Sequence, residues 1–481
     1  MHRLAGVLAV VAAVAAGCGG TTGPGVGAAD IVPASAPAFI AVNTDTDSSQ
    51  WQTVDDLAGR FPDKEKALEM FRQGLNSEGV KWDRDVKPAL GPEFDIVWLD
   101  FENDGEDFVG LLQPRDEAKF EQLLRKSGEE VAREKIGGWT VLAENQAMID
   151  RFRRESGSGD SLADRKPFRE AMDGYPDDFL VTAYVDGEAL MKIARREAEM
   201  DPDFKKIFPK LGRLDWFATN LHATPDGIRW DMNVHGKPGP AFTGISPTKP
   251  FGPALPHQVP KDALAYFSFH GAKGAFDKLE DNPILGDVPE LHRYSGVLRR
   301  IGLLIEGENA VYVRPGPSGK IPEITFIAEP ARGTNGMTTL DSLLRKYRKQ
   351  LELPSLPKPT RVAGLPARVV DAGEVNLYYA NVGKHFVITD FPAGIKTLKG
   401  NPPSLAQSDE YKGALRESGM PAKPQGFIYV NVRGGIDYAT RLSNTHLPGE
   451  VERNLRPLRS AVEYAATRPS EIQVTFFLRI K

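Results

Sequence analysis

The chain carries one pattern twice, and this repeat limits its fold more than any other feature. The string VPASAPAFIAVNTD begins at Val32, and VPKDALAYFSFHGA begins at Val259. Val32, Pro33, Ala36 and Ala38 match Val259, Pro260, Ala263 and Ala265 without a gap, and Phe39 falls opposite Tyr266. Further on, Leu123-Leu124-Arg125-Lys126 answers Leu343-Leu344-Arg345-Lys346, and Ser161-Leu162-Ala163 answers Ser404-Leu405-Ala406. Phe168 then falls near Tyr411, Ala171 near Ala414, and the run Leu180 to Asp186 is set against Phe427 to Arg433. The matches keep their order, so the chain reads as two tandem copies, 30–236 and 255–481. Between them, 237–254 is rich in Pro and Gly. Proline denies that stretch a helix or a sheet interior, so it is expected to be an extended connector.

Within each copy the last strand shows its period. Ile228, Trp230, Met232 and Val234 alternate with Arg229, Asp231, Asn233 and His235. Period two predicts a strand with the apolar face buried and the polar face wet. Ile472, Val474, Phe476, Leu478 and Ile480 repeat the pattern in the second copy. Thr-Pro-Asp-Gly at 224–227 and Arg-Pro-Ser at 468–470 turn the chain before each, as hairpins require. Asp63 and Asp116 are placed to cap helices carrying Leu68, Phe71 and Leu75, and Phe120, Leu123 and Leu124. Packed helices with antiparallel sheet hairpins predict an α+β class rather than a doubly wound parallel sheet. The second copy has an extra hairpin near Leu365 to Ala380.

The N-terminus reads as a signal. Arg3 precedes an unbroken run of small and apolar residues, Leu4 to Ala16. As a helix this run spans roughly 20 Å, too short for a hydrocarbon core of about 30 Å. It fits the h-region of a secretory signal over 1–17. The run ends Ala15-Ala16-Gly17-Cys18, and Cys18 is the only cysteine in the chain. Small residues directly before a cysteine at this place resemble a bacterial lipobox, although Ala15 stands where Leu or Val is commoner. That resemblance implies a lipid on Cys18, palmitate among its acyl chains, and cleavage of the signal before it. Residues 18–29 are then the lipid anchor and a flexible tether. Gly19 to Ala29 would reach at most about 35 to 40 Å. A lone cysteine also rules out an internal disulfide.

Several strings resemble a known group. VPASAPAFIAVNTD, DVKPALGPE at 85–93, SLAD at 161–164 and DDFLVTAYVD at 177–186 look like the exported bacterial proteins of domain-of-unknown-function family 3352. The resemblance covers most of the body after the tether. It implies the organisation and the compartment, and it brings no activity, ligand or catalytic residue with it.

Charge and motifs narrow the chemistry. With 60 Lys+Arg against 65 Asp+Glu, the net charge of -5 offers no electrostatic case for nucleic acid. Asp100, Glu102, Asp104 and Gly105 mimic the start of a calcium loop and are the metal candidates. The final bidentate position would be Leu111, which has no carboxylate, and the string sits between Ile96–Leu99 and Phe108–Leu112, as a hairpin turn would. Gly316-Pro317-Ser318-Gly319-Lys320 ends like a phosphate loop, but Ile321 follows where a metal-binding hydroxyl is needed. Asp45 and Asp47 near Trp51 could line a site, although the second copy has Gly271 and Lys273 there. His222 and His235, one hairpin apart, could share a metal. No nucleophile stands at catalytic spacing from a base, and no cofactor is expected.

Three functions follow, in this order. The first is a non-catalytic module that binds or scaffolds envelope proteins, held at the membrane through lipidated Cys18. The second is a carrier of an apolar ligand such as lipid. The third is a hydrolase whose residues are dispersed along the chain. The expected location is the outer face of the cytoplasmic membrane or another envelope membrane.

Overall fold

The computed structural model describes residues 26–239, 249–272, 274, 276, 289–442 and 448–481, apart from 78, 129 and 469. The expected signal 1–17, Cys18 and most of the expected tether fall outside the described residues, as does 240–248, the middle of the expected connector. The chain divides into two compact units. One runs to Phe208 and takes in Arg213–Lys237 and Ile480–Lys481; the other comprises Pro209–Gly212 and Pro238–Arg479. Both mix helices with antiparallel strands, so the class is α+β. Among the described residues, no helix is long and apolar enough to cross a membrane.

The first unit contains β1 (Ala38–Asn43), β2 (Glu93–Trp98), β3 (Phe108–Leu112), β4 (Ala132–Ile136), β5 (Trp139–Ala143), β6 (Val181–Asp186), β7 (Gly212–Thr224) and β8 (Gly227–Pro238). Hydrogen-bonded registers give the antiparallel order β4–β5–β3–β2–β1–β6–β7. Helices Gln146–Ser156 and Lys166–Met172 pack on one face of this sheet. There Phe39, Val97, Val141, Ile149, Phe152, Phe168 and Tyr184 form the buried core. Local polar groups set the helix starts. Asp116, Asn145 and Asp186 accept the backbone N–H of Lys119, Met148 and Ala189 at 3.0, 3.0 and 2.9 Å.

The second unit contains β9 (Ala265–His270), β10 (Glu308–Pro315), β11 (Pro322–Ala328), β12 (Lys358–Val362), β13 (Leu365–Asp371), β14 (Asn376–Val382), β15 (His385–Thr389), β16 (Gly426–Val430), β17 (Leu458–Arg468) and β18 (Glu471–Ile480). Its antiparallel order is β12–β13–β14–β15–β11–β10–β9–β16–β17. The core holds Tyr266, Tyr312, Tyr411, Phe427, Tyr429 and Val462. The run Leu365 to Ala380, expected to be an extra hairpin, forms β13 paired with β14, and β12 pairs on the other side of β13.

Three expectations need correction. First, the tether does not run to Ala29. Gly27–Asp30 form a tight helical turn, and Ala28 and Ala29 are fully buried in the first core. Small side chains, read as having nothing to bury, are what lets this turn lie close against Trp139.

Second, the final strands are inside out. Asp231 and Asn233 are buried, while Trp230 and Val234 are 43% and 38% exposed. In β18, Thr475, Phe477 and Arg479 are buried and Ile472 is 46% exposed. Alternation locates two faces but does not say which one the helices cover.

Third, the pairing of Leu180–Asp186 with Phe427–Arg433 is two residues out of step. Tyr184 lies opposite Phe39, and Tyr429 lies opposite Tyr266, so setting Phe39 against Tyr266, as expected, puts Leu180–Asp186 against Gln425–Asn431.

Candidate functional site

The site begins with the segment DVKPALGPE. Asp85 is buried and receives the Lys81 backbone N–H at 2.9 Å, with Arg84 and Lys126 paired to it at 2.9 and 2.8 Å. Arg84 first, and Lys126 with it, hold its carboxyl well below the usual carboxylate range. Gly91 then lies so close to Gln113 that a Cβ would sit 2.0 Å from its carbonyl oxygen. This close approach brings Pro92 to the loop after β1, where its carbonyl accepts from Thr44 and Asp45. The chain therefore enters β2 with Glu93 pointing into the protein.

Glu93 and Asp95 are two apart on β2, hence on one face, and they are 2% and 0% exposed. Asp95 lies between Ala41 and Leu111 on the flanking strands, both fully buried. Glu93 accepts backbone N–H groups of Ala28 and Gly27 from the N-terminal turn. Apart from each other, Oε1 of Glu93 and both carboxyl oxygens of Asp95 have no hydrogen-bond partner. Burial pushes the Glu93 carboxyl up to about 7. Burial, and then the neighbouring Glu93 charge, push Asp95 well above its ordinary value. Among the described residues no cation pairs with either group, so burial favours a proton on the pair, with Asp95 as its donor to Glu93. The one signal for this pair in the sequence is two acidic residues at i and i+2 on an apolar strand, and such residues usually mark a wet face instead.

The second unit has half of this arrangement. Glu308, at the start of β10, is buried and accepts the N–H of Ala254 at 2.8 Å and of Leu255 at 2.9 Å. Burial raises its carboxyl. Two residues on stands Ala310, fully buried, so no second carboxyl joins it.

The other candidates prove to be paired. Asp45 and Asp47 both meet Arg115, the latter at 3.0 Å, and Asp47 also meets Lys87 at 2.9 Å. Burial opposes ionisation of Asp47, but hydrogen bonds from Lys87 and Arg115 outweigh it and leave the carboxyl below its ordinary value. Asp100 bonds Arg151 at 2.6 Å, and Glu102 bonds Arg196 at 2.6 Å. Arginines thus stand where a cation would be held. Asn103–Gly105 form a tight turn joining β2 to β3, with Gly105 in the left-handed region; the Asp104 side chain lies outside the described residues. Gly316–Lys320 close the β10–β11 hairpin, with the Gly319 N–H on the Gly316 carbonyl at 2.9 Å and no helix following. His222 and His235 are not neighbours. His222 lies beside Asn220 near the hairpin turn, while His235 stacks on Trp216 at 5.3 Å and meets Asp215 at 3.0 Å. Thr219 bonds the Asp231 carbonyl across the hairpin, so the two imidazoles are roughly 20 Å apart along it. Among the described residues, no three His, Cys, Asp or Glu side chains converge to hold a metal ion.

Each unit also carries an open groove beside its N-terminal turn. In the first, Val26, Ala163, Phe168 and Met172 line about 480 Å³, with Arg169 and Asp173 at the rim. In the second, Pro253, Pro256, Tyr411, Leu415 and Met420 line about 380 Å³.

No family model and no curated protein matches the chain. Among solved structures, crystal form III of TP0453 is similar over 47% of this chain and 78% of that one, at 14% identity and a TM-score of 0.26. Crystal form IV of TP0453 covers 49% and 82%, at 12% identity and the same score.

Proposed function

We propose that the chain is a membrane-anchored envelope lipoprotein made of two copies of one α+β unit, acting by binding and not by turnover. The two-copy reading rests on strand order. β4–β5–β3–β2–β1–β6–β7 corresponds place for place with β14–β15–β11–β10–β9–β16–β17, and β12–β13 extend the second sheet at its edge. Small devices recur at matching places. Pro33 bridges Ser161 and Pro260 bridges Ser404, and each serine opens a capping box, with Asp164 and Gln407. Phe39, Phe168 and Tyr184 form an edge-to-face trio; Tyr266, Tyr411 and Tyr429 form the other. The family resemblance and the lipobox-like ending at Cys18 support the compartment and the anchor.

The observation that carries the binding reading is the exposed apolar sheet face. Trp230 and Val234 in the first unit, and Phe267, Ile428, Ile324 and Ile472 in the second, are 38% to 49% exposed. In the second unit the registers align Ile428, Phe267, Val311 and Phe326 into one row across four strands. An apolar row of this kind, exposed at Ile428 and Phe267 and half-buried at Val311 and Phe326, marks an interaction surface. The carboxyl pair of the first unit, by contrast, is sealed from any substrate. A protein partner in the envelope is the first reading. The grooves favour a second, an apolar ligand such as lipid, because each is floored by aromatic and aliphatic side chains.

Photo-crosslinkers placed at Trp230 and Phe267 in intact cells, with Asp203 as an exposed control, test this. A protein adduct at the two sheet positions supports scaffolding, and a lipid adduct supports the carrier. Turnover of a lipid, glycan or peptide substrate by the purified chain, lost on one polar substitution and with no adduct, overturns both. Labelling with an alkyne fatty acid tests the anchor: Cys18→Ser should lose the label and leave the membrane fraction.

A further inference from the structure

We propose that Glu93 and Asp95 form a proton-dependent latch that holds the turn Gly27–Asp30 against the first unit while the pair keeps its proton. The geometry has three parts. Glu93 binds the turn directly, through the N–H groups of Gly27 and Ala28. Asp95 adds a second carboxyl on the same strand face, closed off by Ala41, Leu111 and the turn's own buried alanines. The three carboxyl oxygens left unpartnered leave no acceptor for a proton other than the pair itself.

With one proton, Asp95 donates to Glu93, and Glu93 keeps its remaining lone pairs on the turn. Without it, two like charges meet where water is absent, and repulsion there is far stronger than at the surface. Hydrating the pair requires moving what covers it, and the turn is the smallest element that does so.

The charged groups on the surrounding elements do not reach the pair. Asp30 on the turn is exposed. On helix Gln146–Ser156, Arg151 pairs with Asp100, Asp107 and Glu155, and Arg153 pairs with Glu134 and Asp150. Asp164, Lys166, Arg169 and Glu170 beside the next helix are exposed. β1 presents Asn43, a neutral group, opposite Glu93, and β3 presents Leu111 opposite Asp95.

The sign follows from burial. The proton-bound pair is favoured in the folded unit relative to the unfolded chain. Glu93 is the first of the two to ionise, near 7, and this leaves one proton on Asp95; the latch is therefore closed while Asp95 keeps that proton and loosens only as the pH rises further, through the higher Asp95 value. Glu308 supplies an internal control, because it binds Ala254 and Leu255 with no second carboxyl beside it.

Hydrogen exchange on the full-length chain, corrected for the intrinsic rate at each pH, tests the latch. Protection of the Gly27–Ala29 amides should hold through the ionisation of Glu93 near pH 7 and fall at least tenfold by the alkaline end of a series from pH 6 to pH 10, while the Leu255–Val259 amides hold constant. Asp95→Asn keeps a donor to Glu93 and removes the second charge, so its protection should be flat with pH. Equal corrected protection in the wild type across the whole series overturns the latch, as does an Asp95→Asn chain that loses protection as the wild type does. The wild-type profile decides the matter alone if that variant does not fold.

Discussion

Asn43 donates its side-chain amide to Ser48 Oγ at 3.1 Å and so ties the end of β1 to the helix Ser49–Ala58. The same amide donates to the Phe179 carbonyl at 2.9 Å, its Oδ1 accepts from Asp45, and its backbone carbonyl accepts from Trp51 Nε1 at 2.9 Å. Asn43 is fully buried, so every one of these bonds replaces water. Asn43→Ala should destabilise the first unit by about 2 to 3 kcal/mol, because it leaves several buried polar groups unpaired. Urea denaturation followed by Trp fluorescence measures it; a loss below about 0.5 kcal/mol would show that the network is not needed.

The capping boxes predict parallel effects in the two units. Ser161→Ala and Ser404→Ala should each cost about 1 kcal/mol. Thermal unfolding of each variant checks this, and a large effect at one serine with none at the other would argue against matched roles.

Arg479 is held between Glu410 and Glu417, bonding the former at 2.6 Å. Gly413 makes room for it, since a Cβ there would sit 2.8 Å from the guanidinium. Removing the cation leaves Glu410 to Arg459, at 3.3 Å, and Glu417 to the exposed Arg416, at 3.0 Å. Arg479→Met should cost about 3 kcal/mol, and adding Glu410→Gln and Glu417→Gln should recover most of it. Additive losses in the triple variant, by chemical denaturation, would contradict the coupling.

Burial lowers the affinity of His222 and of His385 for a proton; Arg229 and Lys384 push in the same direction. A base held neutral in the fold contributes stability that is present above its ordinary value near 6.5 and is lost as the pH falls through its lowered folded value. Stability should therefore decline from pH 7 toward pH 5 in part through these residues. His222→Gln and His385→Gln should each flatten that decline, measured as the urea midpoint against pH.

Calcium should find no site at Asp100 and Glu102, because Arg151 and Arg196 occupy their carboxylates. Calorimetric titration should show no micromolar binding event. Such an event, abolished by Asp100→Asn, would mean that the ion displaces the arginines.

Some of the site was readable in advance. The calcium-like string was recognisable as a turn, because glycine in the left-handed region between two apolar runs is a local requirement. Glu93 and Asp95 were not readable. Their role depends on Gly27 and Ala28, more than sixty positions away, closing over them. The ion pairs of Asp47 with Lys87 and Arg115 are likewise long-range meetings that spacing does not encode.

By itself the sequence determined what depends on near neighbours: the α+β class, the capping residue Asp116, the hairpin turns and the alternation of β8 and β18. Only the tertiary structure decided sidedness. The period of β8 is the same whether Asp231 or Trp230 faces the helices, because alternation defines two faces and leaves the choice to the layer that packs on one of them. The same choice buried Glu93 and Asp95 and left Trp230 and Phe267 facing outward.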